Sequence, residues 1–177
     1  MSINLSPRQF RDQSLDSKIL ALVEKCNIAP TCVEFEITEG LLIDELPSVN
    51  EILTRLNEVG FKIAMDDFGT GYSSLSYLRR YPFDTLKIDR EFIQSLEENY
   101  SDRNLVKAAI SMAQSLDLDV VAEGVETENQ KKILEALSCD IIQGYLYSKP
   151  VPEFEIEAVI NAINNMDNLS PRKKHAL

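Results

Sequence analysis

The pattern of apolar and polar positions alternates between short apolar runs and longer amphipathic stretches. Short runs rich in β-branched residues are typical of buried strands, whereas apolar residues spaced three and four apart are typical of helices. Strands are predicted at residues 3–5, 33–39, 63–65, 85–89, 119–124 and 140–145. Because helical patterns separate nearly all of these strands, we expect an α/β fold with a parallel sheet, either a barrel or a doubly wound sheet.

The helical patterns have recognisable start and stop signals. Ser6-Pro7 offers a cap and a proline suited to a first helical turn, so we expect a helix that begins there and ends before Pro30. Ser73 and Ser74 offer caps to a short helix that ends at Arg80. Further helices are predicted over residues 49–59 with Gly60 at the end, 92–116 with a break at 99–102, 128–137, and 154–163. We expect the domain to span residues 1–163 and a tail to occupy residues 164–177.

Residues 61–75 contain two adjacent acids at the end of an apolar strand. Asp66 and Asp67 follow the run that ends at Met65, and a turn containing Gly69 and Gly71 comes next. Neighbouring strand residues point to opposite faces, so both acids reach one site only if the backbone turns there, which the glycines allow. An isolated pair of acids in a loop is more often simply solvated, so the interpretation depends on the other strands.

A polar group suited to metal binding or proton transfer lies at or near the C-terminal end of each predicted strand. These groups are Asn4, Glu36, Asp66 with Asp67, Lys87, Glu123 and Gln143. In parallel barrels the active site forms at the C-terminal ends of the strands. Four carboxylates and an amide oxygen form a hard-oxygen set suited to Mg²⁺ or Mn²⁺.

Such a set indicates phosphodiester chemistry with two metal ions. Asp66 could bridge two ions about 3.5–4 Å apart, the usual device for in-line attack on a phosphodiester. Lys87 would lie beside the attacking water, where it could orient the water or help remove its proton. Three alternatives stay open. Lys87 could be an ion-pair partner of the acids, Gln143 could cap backbone groups, and Asn4 could be an ordinary loop residue.

Composition excludes several classes of function. The 177 residues carry 18 lysines and arginines against 29 acids, a net charge of −11, which argues against binding polymeric nucleic acid. The three cysteines form no paired motif, and the one histidine, His175, lies in the predicted tail, so histidine catalysis and disulfide frameworks are not expected. No apolar stretch approaches the about 18 residues of a membrane span, and we expect a cytoplasmic protein.

Several motifs together resemble the EAL-domain family, the cyclic di-GMP phosphodiesterases of bacterial signalling. The matching stretches are Asn4-Leu-Ser-Pro7, Glu36-Ile-Thr-Glu39, Asp66-Asp-Phe-Gly-Thr-Gly-Tyr-Ser-Ser74, Leu86-Lys-Ile-Asp89, Val121-Ala-Glu-Gly-Val-Glu-Thr127 and Gln143-Gly-Tyr145. The resemblance implies a modified eight-stranded, TIM-barrel-like fold that hydrolyses cyclic di-GMP to linear pGpG with Mg²⁺ or Mn²⁺.

The resemblance also implies roles for matching residues. It places Asn4, Glu36, Asp66, Asp67 and Glu123 around the metals, and Lys87, Glu123 and Gln143 in the catalytic chemistry. The loop that includes Phe68, Gly69, Thr70 and Gly71 would organise the metal site and dimer contacts, and Glu39 would hold that loop in place.

One departure from the family pattern limits what the resemblance implies. In the family, the signature Glu-x-Leu-x-Arg, which supplies a metal ligand and a substrate-binding arginine, lies on a strand before the Asn-Leu-Ser stretch, and no such strand precedes Asn4 in these 177 residues. The letters Glu135-Ala136-Leu137 lie at the end of a predicted helix and do not replace it. We therefore expect about six βα units with the first two strands missing, and little or no activity from this chain alone.

The same departure predicts open sheet edges. They would lie beside the strands at Ile3 and Ile141, and would favour low stability, a homo-oligomer or a complementing chain. Two other functions remain possible: a non-catalytic module that binds cyclic di-GMP or a protein, and an enolase-type Mg²⁺-dependent lyase. The lyase predicts nothing like the loop after Asp66.

Overall fold

A six-stranded parallel sheet forms the centre of the molecule. The structure is a computed structural model, which describes residues 1–43, 47–69 and 75–167. Neighbouring strands follow one another in chain order, and every pair is parallel. The strands are Ser2–Asn4 (β1), Glu34–Thr38 (β2), Lys62–Phe68 (β3), Thr85–Ile88 (β4), Asp119–Glu123 (β5) and Ile141–Gln143 (β6). The prediction of six parallel strands is confirmed.

Helices connect the strands, as is usual for the crossover connections between parallel strands. They are Leu15–Cys26 (α1), Glu39–Ile43 (α2), Pro47–Val59 (α3), Leu75–Arg80 (α4), Arg90–Gln94 (α5), Tyr100–Gln114 (α6), Glu128–Ala136 (α7) and Ile156–Asp167 (α8). Single 3₁₀ turns lie at Gln9–Arg11, Pro30–Cys32 and Glu153–Glu155. Glu135 and Ala136 are helical, as expected for letters that do not form the family signature.

The sheet curls into an open half-barrel with its core around the central strands. Ile37, Ile63, Leu86 and Val120 are fully buried, because helices cover one face of the sheet and its curl shields the other. At the two edges, Ile3 and Ile141 remain 38% and 47% exposed. Within the described residues no strand pairs with the outer edge of β1 or β6, which agrees with a truncated TIM-barrel-like fold.

The first helix begins later than predicted. Its expected start at Ser6 is wrong, because the chain forms a 3₁₀ turn at Gln9–Arg11 and α1 begins only at Leu15. The side chain of Gln9 accepts hydrogen bonds from the Ser6 backbone N–H and hydroxyl, both at 2.8 Å. Such local side-chain bonds give the backbone an alternative to the helix.

Most other helix boundaries agree with the sequence pattern. The break predicted at 99–102 lies slightly earlier, at residues 95–99 between α5 and α6, because the Asn99 side chain accepts from the Ser101 N–H at 2.9 Å and caps α6. Gly60 ends α3 with φ +106°. The helix α2 was not predicted, and α8 begins two residues later than expected and continues to Asp167. The predicted caps Ser73 and Ser74 lie outside the described residues, as does the tail from residue 168.

Candidate active site

Lys87 lies at the centre of a charged cluster at the C-terminal ends of the strands. Its side chain is only 5% exposed. The Nζ atom lies 2.7 Å from Glu36 Oε1, 2.6 Å from Glu123 Oε1 and 3.1 Å from Asp66 Oδ1. Four neighbouring strands, β2 to β5, therefore each bring one charged side chain to a single buried point. Lys87 is thus an ion-pair partner of the acids, which is one of the alternatives that the sequence left open.

Asn4 and Gln143 extend the cluster to the two edge strands. Asn4 is the register partner of Glu36, and its Nδ2 donates to Glu36 Oε2 at 3.1 Å. Gln143 is the register partner of Glu123 and is exposed, lining a cavity of about 200 Å³ together with Glu123 and Gly144. Every strand thus contributes a polar group at or beside the site.

The turn that separates Asp66 from Asp67 lies at the acids themselves. The expected strand end at Met65 is wrong, since β3 continues to Phe68, whereas the expected turn is present at Gly69, which has a φ of +100°. Met65 pairs with Leu86 and Phe68 with Ile88, so β3 passes two residues where β4 passes only Lys87. This is a β-bulge, and Asp67 adopts the left-handed φ of +57° that aspartate tolerates better than most residues.

The bulge gives the two acids different neighbours. Asp66 is buried beside Lys87, whereas Asp67 is half-buried and shares a hydrogen bond with Asp89. Burial, followed by the negative charges of Asp66 and Asp89, raises the pKa of Asp67. Sequence reasoning missed Asp89 as a site residue. Its position directly after β4 is the same signal that identified the other acids.

Burial and charge act in opposite directions on the cluster. Burial alone would lower the pKa of Lys87, but the hydrogen bonds to Glu123 and Glu36 and the charge of Asp66 outweigh it and raise that pKa. Lys87 is therefore a cation at neutral pH. Burial raises the pKa of Glu123, and the hydrogen bond from Lys87 offsets this only in part.

The donor set fits a hard divalent cation. Among the described residues no group of three or more His, Cys, Asp or Glu side chains is gathered in a geometry that holds a metal ion. Yet three carboxylates face one ammonium, which leaves negative charge for a cation to neutralise. Within the described part of the chain, the buried Asp66 Oδ1 accepts no hydrogen bond and has only its 3.1 Å ion pair with Lys87. Carboxylate and amide oxygens are the ligands that Mg²⁺ and Mn²⁺ prefer.

The loop after the acids is held by close packing where it is described. Gly69 has φ +100°, and a Cβ there would lie 2.7 Å from the ring of Phe92 on α5. Phe68 is buried, and Glu39 is buried as the first residue of α2. Thr70 and Gly71, which belong to the same predicted loop, lie outside the described residues.

Comparisons with known proteins give a consistent result. The family model of the EAL domain matches residues 1–150. Cyclic di-GMP phosphodiesterase NbdA of Pseudomonas aeruginosa is 40% identical over 162 residues, which are 92% of this chain but 21% of that protein. The chain thus spans about a fifth of the length of the first curated relatives it matches.

Solved structures show the same similarity. The EAL domain of Mycobacterium smegmatis DcpA superposes with a TM-score of 0.85 at 38% identity, covering 91% of this chain and 72% of that one. A manganese and cyclic di-GMP complex of Klebsiella pneumoniae BlrP1 gives a TM-score of 0.78 at 31% identity, covering 84% and 38%. No described helix is long and apolar enough to cross a membrane.

The match to the family model extends over most of the chain, and its sheet follows that of solved EAL domains. Four of the strand-end residues that suggested the resemblance, Glu36, Asp66, Lys87 and Glu123, lie together in one cluster. This protein belongs to the EAL domain family.

Proposed function

We propose that the cluster around Lys87 belongs to a divalent-metal site that hydrolyses cyclic di-GMP to linear pGpG. The observation that carries this proposal is the convergence of Glu36, Asp66 and Glu123 on one buried ammonium. Family membership and the name of NbdA, a cyclic di-GMP phosphodiesterase, support the choice of substrate. The manganese complex of BlrP1 supports the choice of cation.

The residues proposed to hold the metal are those with hard oxygen donors at the C-terminal ends of the strands. They are Asn4, Glu36, Asp66, Asp67 and Glu123. A bound Mg²⁺ or Mn²⁺ would supply a nucleophilic hydroxide at neutral pH and neutralise charge on the scissile phosphate. The side chains of this chain supply the rest: the carboxylates would fix the position of the cation, and the buried Asp66 Oδ1, which accepts no hydrogen bond from a described residue, is open to it.

Lys87 and Gln143 have proposed roles in orienting water. Lys87 remains protonated at neutral pH, so its ammonium donates hydrogen bonds to water or phosphate oxygens and does not accept a proton. Of the two roles that the sequence left open for Lys87, this favours orienting the water over removing its proton. Glu123 contacts Lys87 and lines the cavity beside Gln143, and it is the residue proposed to accept the proton of the attacking water.

This chain by itself is expected to turn over slowly. In the 177 residues the letters Glu-x-Leu-x-Arg occur only at Glu51–Arg55, inside the helix α3, so no described strand supplies that glutamate. A two-metal site that lacks one ligand loses several powers of ten in rate. The location we propose is the cytoplasm, where three free cysteines would stay reduced.

Binding and turnover of cyclic di-GMP test the proposal separately. Calorimetric titration in Ca²⁺ should detect binding of the dinucleotide that EDTA abolishes and that Asp66→Asn weakens by about tenfold or more. The control Asp12→Asn alters an acid on the surface and should bind as the wild type does. Binding that is independent of metal and of Asp66 would contradict the proposed site.

Product formation is the second readout. Chromatography of reactions with Mn²⁺ should show little or no pGpG from this chain. A turnover number similar to that of intact family members would contradict the expected loss, while still supporting the proposed chemistry.

A further inference from the structure

The ammonium of Lys87 is surrounded by carboxylates that are also proposed to bind the metal. Its Nζ atom lies 2.6 Å from Glu123 Oε1, 2.7 Å from Glu36 Oε1 and 3.1 Å from Asp66 Oδ1. These three acids stand on three different strands and meet at this one nitrogen. A single side chain of the protein therefore holds the oxygens that a divalent cation would need as ligands.

The ammonium keeps these oxygens further from their common centre than a metal ion would. Mg²⁺ takes oxygen ligands at about 2.0–2.1 Å, whereas the three oxygens lie 2.6–3.1 Å from Nζ. This spacing explains why no described group of three acids has the geometry of a metal site. To bind a cation at this centre, the carboxylates must move inward by roughly 0.5–1 Å, which they cannot do while Nζ occupies the centre.

The oxygens that contact Lys87 include those best placed to serve as metal ligands. Asp66 Oδ1 is buried, and among the described residues it has only its ion pair with Lys87. In Glu36, Oε2 already accepts a hydrogen bond from Asn4 Nδ2 at 3.1 Å. The other oxygen of Glu36, Oε1, is the one that the ammonium holds. A cation that uses these two oxygens must take them from Lys87.

Charge repulsion also opposes a site that holds both cations. A divalent ion at the usual distance from Asp66 Oδ1 would lie within roughly 5 Å of Nζ if the ammonium kept its place. Lys87 is only 5% exposed, so solvent screens little of the repulsion between the two cations. The four-carbon stem of lysine is flexible, and Nζ can therefore withdraw without any movement of β4.

We propose that Lys87 competes with the divalent cation for Glu36, Asp66 and Glu123, so that binding of the cation displaces the ammonium from at least two of them. The inference rests on the proposed function, because it concerns the metal site of that function. The displaced ammonium keeps three N–H donors and is then able to bind water or phosphate oxygens beside the cation. Lys87 thus orients water only after the cation has bound, which couples metal loading to assembly of the site.

Titration of the full 177-residue chain with Mn²⁺ tests the competition, with free Mn²⁺ measured by electron paramagnetic resonance. Lys87→Met and Lys87→Gln should each bind Mn²⁺ about tenfold or more tightly than the wild type, because a neutral side chain does not compete for the carboxylates. Lys87→Gln retains an N–H donor for the carboxylates, which protects the fold. The control Lys62→Met removes the same charge from an ion pair with Asp84, and should bind Mn²⁺ as the wild type does.

The titration separates failure of the competition from failure of the proposed function. If the two Lys87 variants bound Mn²⁺ as the wild type does, or more weakly, the competition would be overturned and the metal site would stand. Tighter binding in Lys62→Met of the same size would also overturn it, because any lost positive charge would then explain the gain. Absence of Mn²⁺ binding in every protein would overturn both the metal site and the competition.

A second measurement needs no variant. Crystals of the wild type grown in EDTA should keep the three contacts of Lys87. In crystals grown with Mn²⁺, Nζ should lie beyond about 4 Å from at least two of the three carboxylate oxygens. A bound Mn²⁺ with all three contacts intact would overturn the proposal, since the two cations would then share the site.

Discussion

The centre of the sheet and its two edges differ in what they bury. At the centre, β3 and β4 bury almost every side chain, including the charged pair of Asp66 and Lys87. At the edges, β1 and β6 expose apolar residues such as Ile3 and Ile141. The centre thus holds a few paired charges within an apolar core, whereas the edges leave apolar side chains exposed.

This difference separates the requirements of chemistry from those of folding. The carboxylates at the mouth need a dry environment and a compensating cation, and only strands flanked on both sides by other strands provide it. The edges provide no such environment, and their apolar residues stay exposed. Matched substitutions in the two regions, or at matched positions within one region, measure this difference.

The largest expected effect comes from removing the central ammonium. Lys87→Met leaves Glu36, Asp66 and Glu123 buried without their cation, so it should lower the free energy of unfolding by about 3–5 kcal/mol. Lys62→Met removes an ion pair with Asp84 whose lysine is 54% exposed, and should cost at most about 1 kcal/mol. Urea denaturation measures both. Equal losses of unfolding free energy in the two variants would contradict the conclusion that the buried Lys87 stabilises the protein more than an exposed lysine does.

Truncation of an isoleucine should show the same contrast for apolar residues. Ile63→Ala in β3 creates a cavity at a fully buried position and should cost about 2–5 kcal/mol. Ile141→Ala in β6 removes a side chain that is 47% exposed and should cost less than about 1 kcal/mol. If the edge substitution cost as much as the central one in the same urea series, Ile141 would have to be covered in solution.

A smaller effect is expected for the loop after the acids. Gly69→Ala places a Cβ against the ring of Phe92 at a φ of +100°, so it should lower the unfolding free energy by about 1–3 kcal/mol. Gly40→Ala, in α2, meets no atom within 4 Å and should be neutral or stabilising by up to about 1 kcal/mol. Thermal unfolding of the pair checks this. Similar destabilisation in both variants would show that Phe92 does not restrict the loop.

The smallest effect concerns the thiols. Burial raises the pKa of Cys139 to about 11, whereas Cys26 and Cys32 are exposed. Only the thiolate attacks a disulfide reagent, and the higher nucleophilicity of a basic thiolate offsets part of its scarcity, so Cys139 should react about tenfold more slowly at pH 8. Reaction with Ellman's reagent should show two fast thiols and one slow thiol, and three equal rates in urea. Three equal rates without urea would mean that solvent and reagent reach the Cys139 thiol in the folded protein.

Much of the fold could be predicted from sequence, because each strand is a distinct apolar run and parallel strands follow in chain order. The converging residues were predictable for the same reason, since their positions at strand ends decide where they meet. The start of α1 was not, because it depends on the local competition of the Gln9 side chain for the Ser6 backbone. The helix α2 has five residues, too few for helical spacing to be visible.

The bulge at Asp67 depends on a different kind of information. The left-handed φ of Asp67 follows from the register of β3 against β4, a pairing between residues about twenty positions apart. No local pattern fixes that register. Asp89, in contrast, could have been identified, because it follows β4 as Asp66 and Asp67 follow the apolar run of β3.

The most direct test of the account is whether the buried centre binds a divalent cation through Asp66. Urea unfolding of the wild type and of Asp66→Asn should be measured with and without Mn²⁺. Ligand linkage predicts that Mn²⁺ raises the unfolding free energy of the wild type, by about 2.7 kcal/mol at 100 times the dissociation constant. Asp66→Asn should gain much less at the same concentration. An equal gain in both proteins, or no gain in the wild type, would contradict the assignment of this cluster as a metal site.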